Sequence, residues 1–166
     1  LTDYQPDLSY VIDAAKTVGK SLVKKQVVIL ESTTYPGTTL EVLIPNLEDQ
    51  SGLLAGKDFF VGYSPERIDP GNKIWKFKNT PKVISGINNE STKRIKDFYE
   101  SIIDEIVIVN GTKEAEMVKL LENTYRHVNI ALINELAMLC KMLDIDIWEV
   151  VNAAKTKPFG FESFKP

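Results

Sequence analysis

Two kinds of apolar spacing alternate along the chain. Short unbroken runs occur at 26–30 (QVVIL), 58–62 (DFFVG), 82–85 (KVIS) and 106–109 (IVIV). Runs of this length, rich in β-branched residues, predict strands covered on both faces, as in a parallel sheet. Between them, apolar residues recur at threes and fours, which predicts amphipathic helices. Helices are expected over 9–24, from Thr38 or Thr39 to 47, from an Asn88 cap to 103, over 112–142, and from 147 to about 155. Asp7 or Ser9 can cap the first, and Gly19 weakens its middle. Asp146 with Glu149 resembles a capping box, and Pro158 stops the last helix. The order helix, strand, helix, strand, strand, helix, strand, helix predicts an α/β fold with a mostly parallel sheet and helical crossovers.

The 112–142 stretch dominates this pattern. Val118, Leu121, Tyr125, Val128, Leu132, Leu136 and Leu139 form its main stripe. Met117, Leu120, Ile130, Ile133 and Met138 widen that stripe, so the helix is expected to be buried. About thirty residues at ~1.5 Å each give roughly 45 Å, longer than a small domain is wide. A helix of that length is expected to link two lobes, or one lobe to a second subunit. Lys119, Asn123 and His127 follow one another at i, i+4 on one side.

Composition narrows the function. The 166 residues carry a formal charge of -3 and no basic cluster, so no nucleic-acid footprint is present. No apolar run reaches the length of a membrane span, and no signal-peptide pattern opens the chain. One cysteine cannot form an internal disulfide or a metal cluster, which fits a reducing compartment. The polar lead-in LTDYQPDL has no initiator Met, and KPFGFESFKP is rich in Gly, Pro and aromatics. Both suggest an internal piece of a longer chain.

Candidate chemistry sits in two polar loops beyond strand ends, where ligands bind in open α/β sheets. ESTTYPG at 31–37 offers hydroxyls and N–H groups near a helix start, a place for a phosphate or a cofactor ribose. Ser32, Thr33 and Thr38 could equally be ordinary caps. YSPERIDPG at 63–71 holds Glu66, Arg67 and Asp69 between prolines and a glycine. Such stiffening suits a positioned general acid or base, or else a solvated Glu66–Arg67 pair. Lys119 and Asn123 could stabilise an oxyanion, although Lys119 could instead pair with Glu116 or Glu122. His127 and Cys140 read as interior residues, and Trp75 and Trp148 as packing residues. No H-x-H, C-x-x-C or H-E-x-x-H occurs, so no metal site is proposed; G-x-G-x-x-G and a P-loop are also absent, so the phosphate fingerprint of a dinucleotide domain is expected outside these residues.

Four blocks together resemble the nucleotide-sugar 6-dehydrogenases, which include the UDP-glucose and GDP-mannose dehydrogenases. They are ESTTYPGT at 31–38, GYSPERIDPGN at 62–72, AEMVKLLENTYRHVNIALINELAMLC at 115–140 and AAKTKPFGF at 153–161. The SPERIDPG form is most similar to the branch that oxidises UDP-N-acetylhexosamines. The resemblance implies NAD as cofactor and two oxidations of a sugar C6 alcohol to a carboxylate. It implies that 1–111 is the second half of a Rossmann-like NAD domain. It also implies that 112–166 is the central helical region, which makes a homodimer through 112–142, in a cytoplasmic enzyme. Ser32 and Thr33 would lie on the cofactor side, Thr33 near the nicotinamide and the catalytic water. Glu66 would do acid/base work beside the cofactor, and Lys119 and Asn123 would contact the reacting oxygen. Arg67, Ile68 and Asp69 would lie along the substrate, and Phe164 in the sugar or nucleotide pocket.

Cys140 does not match the family's catalytic cysteine, which belongs to a G-G-x-C block. The 166 residues alone are therefore expected to be inactive. UDP-glucose enzymes commonly read S-P-E-F-L-R-E, and Pro70 stands here at the second glutamate, against a UDP-glucose substrate. The rival from another class is a noncatalytic dimerisation module built on the long helix.

Overall fold

A computed structural model describes residues 6–166, so the first five residues of the polar lead-in lie outside the described part. The first compact unit runs to Leu120 and the second over Leu121–Pro166. The boundary falls inside a helix whose first two turns carry Ala115 and Glu116 into the first unit's interior.

Four strands make the sheet of the first unit: β1 (Val27–Leu30), β2 (Phe60–Tyr63), β3 (Lys82–Gly86) and β4 (Ile106–Ile108). They lie side by side in sequence order. β1 pairs with β2 in parallel and β3 with β4 in parallel, whereas β2 and β3 are antiparallel. The sheet is thus mostly parallel, with one reversal at its centre. The inner strands β2 and β3 are buried at every position, which is why they read as unbroken apolar runs.

Alternation along the strands separates two apolar layers. Val83 faces a cluster with Leu30, Phe59, Val61 and Tyr63, covered by Ala15, Leu43, Leu47 and Ala115. Ile84 faces the other way, against Ile95, Tyr99 and Ile103. Helices α1 (Ser9–Gly19) and α2 (Ile44–Ser51) pack against one another, and α3 (Asn89–Glu100) lies on the strands. A π-helical turn, Thr39–Leu43, leads into α2. Helix α1 ends well short of the expected residue 24. A Cβ at Gly19 would come within 2.7 Å of Gln50 Cβ, so the two helices approach closely here.

The local signals are seen in the caps. At α1 the N-cap is Leu8, with no side-chain cap; Asp7, one residue earlier, accepts from the Ser9 N–H at 2.9 Å. Asn88 accepts from the Ser91 N–H at 2.8 Å and starts α3. Asp146 accepts from the Trp148 N–H at 2.8 Å and starts α5 (Ile147–Ala154).

Helix α4 (Thr112–Met142) is continuous over 31 residues, as its spacing predicts. Its burial differs from expectation. Leu121, Tyr125, Val128, Leu132, Leu136 and Leu139 are all exposed, and from Leu121 onward only Ile133 of the helix is buried. The second unit has only α5 and the Gly/Pro-rich tail to lay against it, too little to cover so wide a stripe. Trp75 and Trp148, expected to pack, are 53% and 49% exposed. Among the described residues no helix is long and apolar enough to cross a membrane.

Candidate active site

The two polar loops emerge from neighbouring parallel strands, loop 31–38 after β1 and loop 64–72 after β2. Because β3 runs against β2, its first residue, Lys82, is delivered to the same rim. There the buried Lys82 ammonium lies 2.8 Å from Glu31 Oε1. The Tyr99 hydroxyl donates to that same oxygen at 2.6 Å. Lys82 also sits 5.0 Å from the centre of the Tyr99 ring. A buried ammonium needs such a partner, and Glu31 supplies the opposite charge. Tyr63 donates to the Ser32 carbonyl at 3.0 Å.

Burial pushes the Tyr63 hydroxyl up to about 12, with the nearby Glu116 charge adding to the effect. Burial and the bond to Glu31 also raise Tyr99. Both hydroxyls therefore stay protonated at neutral pH and act as donors.

The far end of the first loop is held by α4. Glu116, fully buried, accepts from the Gly37 N–H at 2.5 Å through one oxygen. Its other oxygen accepts from the Thr39 N–H at 2.8 Å and the Thr39 hydroxyl at 2.7 Å. Gly37 has φ +112°, a conformation that favours glycine. The helix start expected to take a phosphate thus already faces a carboxylate, and its N–H groups at Gly37 and Thr39 are engaged. Thr38 does not cap with its side chain either; its hydroxyl donates to the Tyr35 carbonyl at 2.7 Å. Between these clamps Ser32 and Thr33 remain exposed.

The second loop is tied down at several points. Buried Ser64 donates to the Val83 carbonyl at 2.8 Å, and Arg67 donates to the Pro81 carbonyl at 2.9 Å. The Glu66 carboxylate accepts from the Ile68 N–H at 2.6 Å, and Asn72 donates to Asp69 at 3.1 Å. Ile68 and Asp69 are exposed. Lys119, half-buried on α4, donates its ammonium to the main-chain carbonyl of Glu66. Glu116, one of the alternative partners for Lys119, is instead engaged with the first loop.

The second unit carries the other candidates. Asn123 and His127 are exposed on α4, and Cys140 is half-buried. Phe164 meets the Tyr125 ring edge-on at 5.8 Å. Both line an open hollow of about 420 Å³, where Tyr125 donates to Glu162 at 2.9 Å.

Glu116 and Lys82 were not singled out from sequence as parts of this rim. Their signal is a charged residue inside an apolar pattern: Glu116 directly follows Ala115 on the buried side, and Lys82 opens a strand.

Comparison with known proteins decides the family. Residues 1–103 match the NAD binding domain of the UDP-glucose/GDP-mannose dehydrogenase family, and residues 113–166 match its central domain. The chain belongs to this family. Protein CapL of Staphylococcus aureus is 48% identical over 98% of the chain and 38% of its own length. UDP-N-acetyl-D-glucosamine 6-dehydrogenase of Pseudomonas aeruginosa is 45% identical, again over 98% of the chain and 38% of its own length. The solved structure of the UDP-D-ManNAc dehydrogenase from Pyrococcus horikoshii superposes with a TM-score of 0.88 at 38% identity, covering 96% of this chain and 38% of that one. The chain therefore spans about 38% of the length of these UDP-glucose/GDP-mannose dehydrogenase relatives. The family and the Rossmann-like α/β fold read from the sequence blocks are those found.

Proposed function

We propose that the protein to which this chain belongs oxidises the C6 alcohol of a UDP-N-acetylhexosamine to the uronate, with NAD as hydride acceptor in two successive steps. The observation that carries this reading is the Lys119 ammonium held against loop 64–72 at Glu66. Relatives named as dehydrogenases of UDP-N-acetylglucosamine and UDP-N-acetylmannosamine support the substrate class.

The first loop fits the cofactor. Its exposed Ser32 and Thr33 hydroxyls, on a backbone clamped at both ends, suit a ribose and the nicotinamide amide. NAD, when bound, takes the hydride. The alcohol must lose a proton as that hydride leaves, and the Glu66 carboxylate, directly or through water, accepts it. Lys119, with Asn123, steadies the negative charge that appears on the C6 oxygen. Arg67, Ile68 and Asp69 lie along the sugar nucleotide, and Phe164 lines its pocket. The second oxidation proceeds most directly through a thiol adduct. Cys140 is not its nucleophile, and the 166 residues alone are inactive.

The functional division is 1–111 for the cofactor and 112–166 for substrate contact and assembly. The exposed stripe of α4 pairs with a second copy in a homodimer. A cytoplasmic location follows from the need for NAD and a nucleotide sugar.

The test is steady-state kinetics of the full-length protein with NAD and UDP-N-acetylglucosamine, UDP-N-acetylmannosamine or UDP-glucose. Two NADH per sugar with an N-acetylhexosamine is the expected result. Absence of NADH formation with all three sugars, or preference for UDP-glucose, overturns the reading.

A further inference from the structure

We propose that Glu116 is a positioning residue of the reaction centre: it fixes the cofactor loop to the same helical turn that carries Lys119. This rests on the reading above, in which Thr33 lies at the cofactor and Lys119 at the reacting oxygen.

The carboxylate is fully buried, and both of its oxygens are spent on one short segment, Gly37 and Thr39. Burying an ionised carboxylate is costly unless donors surround it. The donors here stand at the first turn of the helical segment that becomes α2, where the helix dipole also favours negative charge. Glu116 therefore does from within the chain what a bound anion would do at that helix start. A leucine could fill the same space, but it would leave the Gly37 and Thr39 N–H groups without an acceptor.

Residues three apart on a helix lie one above the other on the same side. Glu116 thus grips the first loop while Lys119 grips the second. Each loop is also tied to the sheet, the first through Glu31 and Lys82 and the second through Ser64 and the Val83 carbonyl. Thr33 sits between the Glu31 tether and the Glu116 tether. Releasing the second frees the cofactor side of the site relative to Lys119 without touching the sugar side. Hydride transfer is sensitive to displacements of an ångström or less, so such slack slows the reaction.

The variant that tests this is Glu116→Gln in the full-length enzyme. It keeps shape and an acceptor for Thr39, but sets an amide N–H₂ against the Gly37 N–H. Glu116→Asp, which keeps the charge and shortens the reach, is the second variant. With rates normalised to folded sites, KM for NAD is expected to rise at least fivefold. The value of kcat should fall at least fivefold, and KM for the UDP-sugar should stay within twofold. A folded variant with a smaller change in KM for NAD or in kcat, or with both KM values raised together, overturns the proposal. So does failure of both variants to fold, which would make Glu116 a determinant of the fold alone. Lys119→Ala separates this from the wider reading. Full turnover in that variant sinks the reaction centre itself, whereas a dead Lys119→Ala beside a normal Glu116→Gln sinks only the positioning role.

Discussion

The Lys119 ammonium donates to the main-chain carbonyl of Glu66, while the carboxylate of the same residue accepts from the Ile68 N–H. The lysine therefore orders the loop without neutralising its acid. One residue can present both a fixed backbone and its carboxylate, and a ligand oxygen arriving at Lys119 can share the ammonium, which has three protons to give. In the full-length enzyme Lys119→Ala should lower kcat by about 10²–10³-fold, the usual loss when one oxyanion donor is removed. Glu66→Gln should lower it by a similar factor with little change in melting temperature. Near-normal turnover of either variant would remove the residue from the chemistry.

Lys82 predicts a stability effect. Lys82→Met leaves Glu31 half-exposed, where water can reach it, so the loss is smaller than for a fully buried pair: about 1–3 kcal/mol. Tyr99→Phe removes one donor from the same carboxylate and should cost about 1–2 kcal/mol. Chemical denaturation monitored by far-ultraviolet circular dichroism reads both. A Lys82→Met variant as stable as the parent would show that the ion pair contributes nothing.

The tyrosines set an alkaline limit. Tyr63 ionises in the folded chain at about 12, against a usual value of 10. Between these values the unfolded chain has lost a proton that the folded chain keeps. Stability from this group is complete below pH 10 and is lost as pH rises towards 12. Tyr63→Phe should flatten that decline, which unfolding curves taken across the window measure. Tyr99, also raised, adds a slope in the same direction.

The exposed face of α4 predicts self-association. Val128 and Leu136 point a large apolar side to solvent within one chain. If the proposed homodimer uses this stripe, the full-length parent should sediment as a dimer, and Val128→Asp with Leu136→Asp should give a monomer while the NAD domain remains folded. A monomeric parent, or a variant that sediments as a dimeric parent does, would overturn pairing through this stripe.

What the sequence disclosed follows the range of the interactions. The four strand runs, the bounds of α4 and the caps at Asn88 and Asp146 are local, and all are legible from spacing and residue type. The two loops were legible as candidates because Pro, Gly and hydroxyl residues cluster there. The clasp of Glu116 on Gly37 and Thr39 joins residues more than seventy positions apart, and no local pattern announces it. Lys82 meets Glu31 from a distant part of the chain too, so its role was equally hidden. Burial of α4 was overread because an apolar stripe declares that something must cover it, but not that the cover comes from the same chain.

The central reversal of the sheet has a geometric result. A strand of five residues such as β3 is about 13 Å long from first Cα to last. Had it run in the same sense as β2, Lys82 would stand at the opposite margin, out of reach of Glu31. Turning one pair of strands around lets a single margin recruit side chains from where two strands finish and where a third begins, which widens the choice of residues without lengthening any loop.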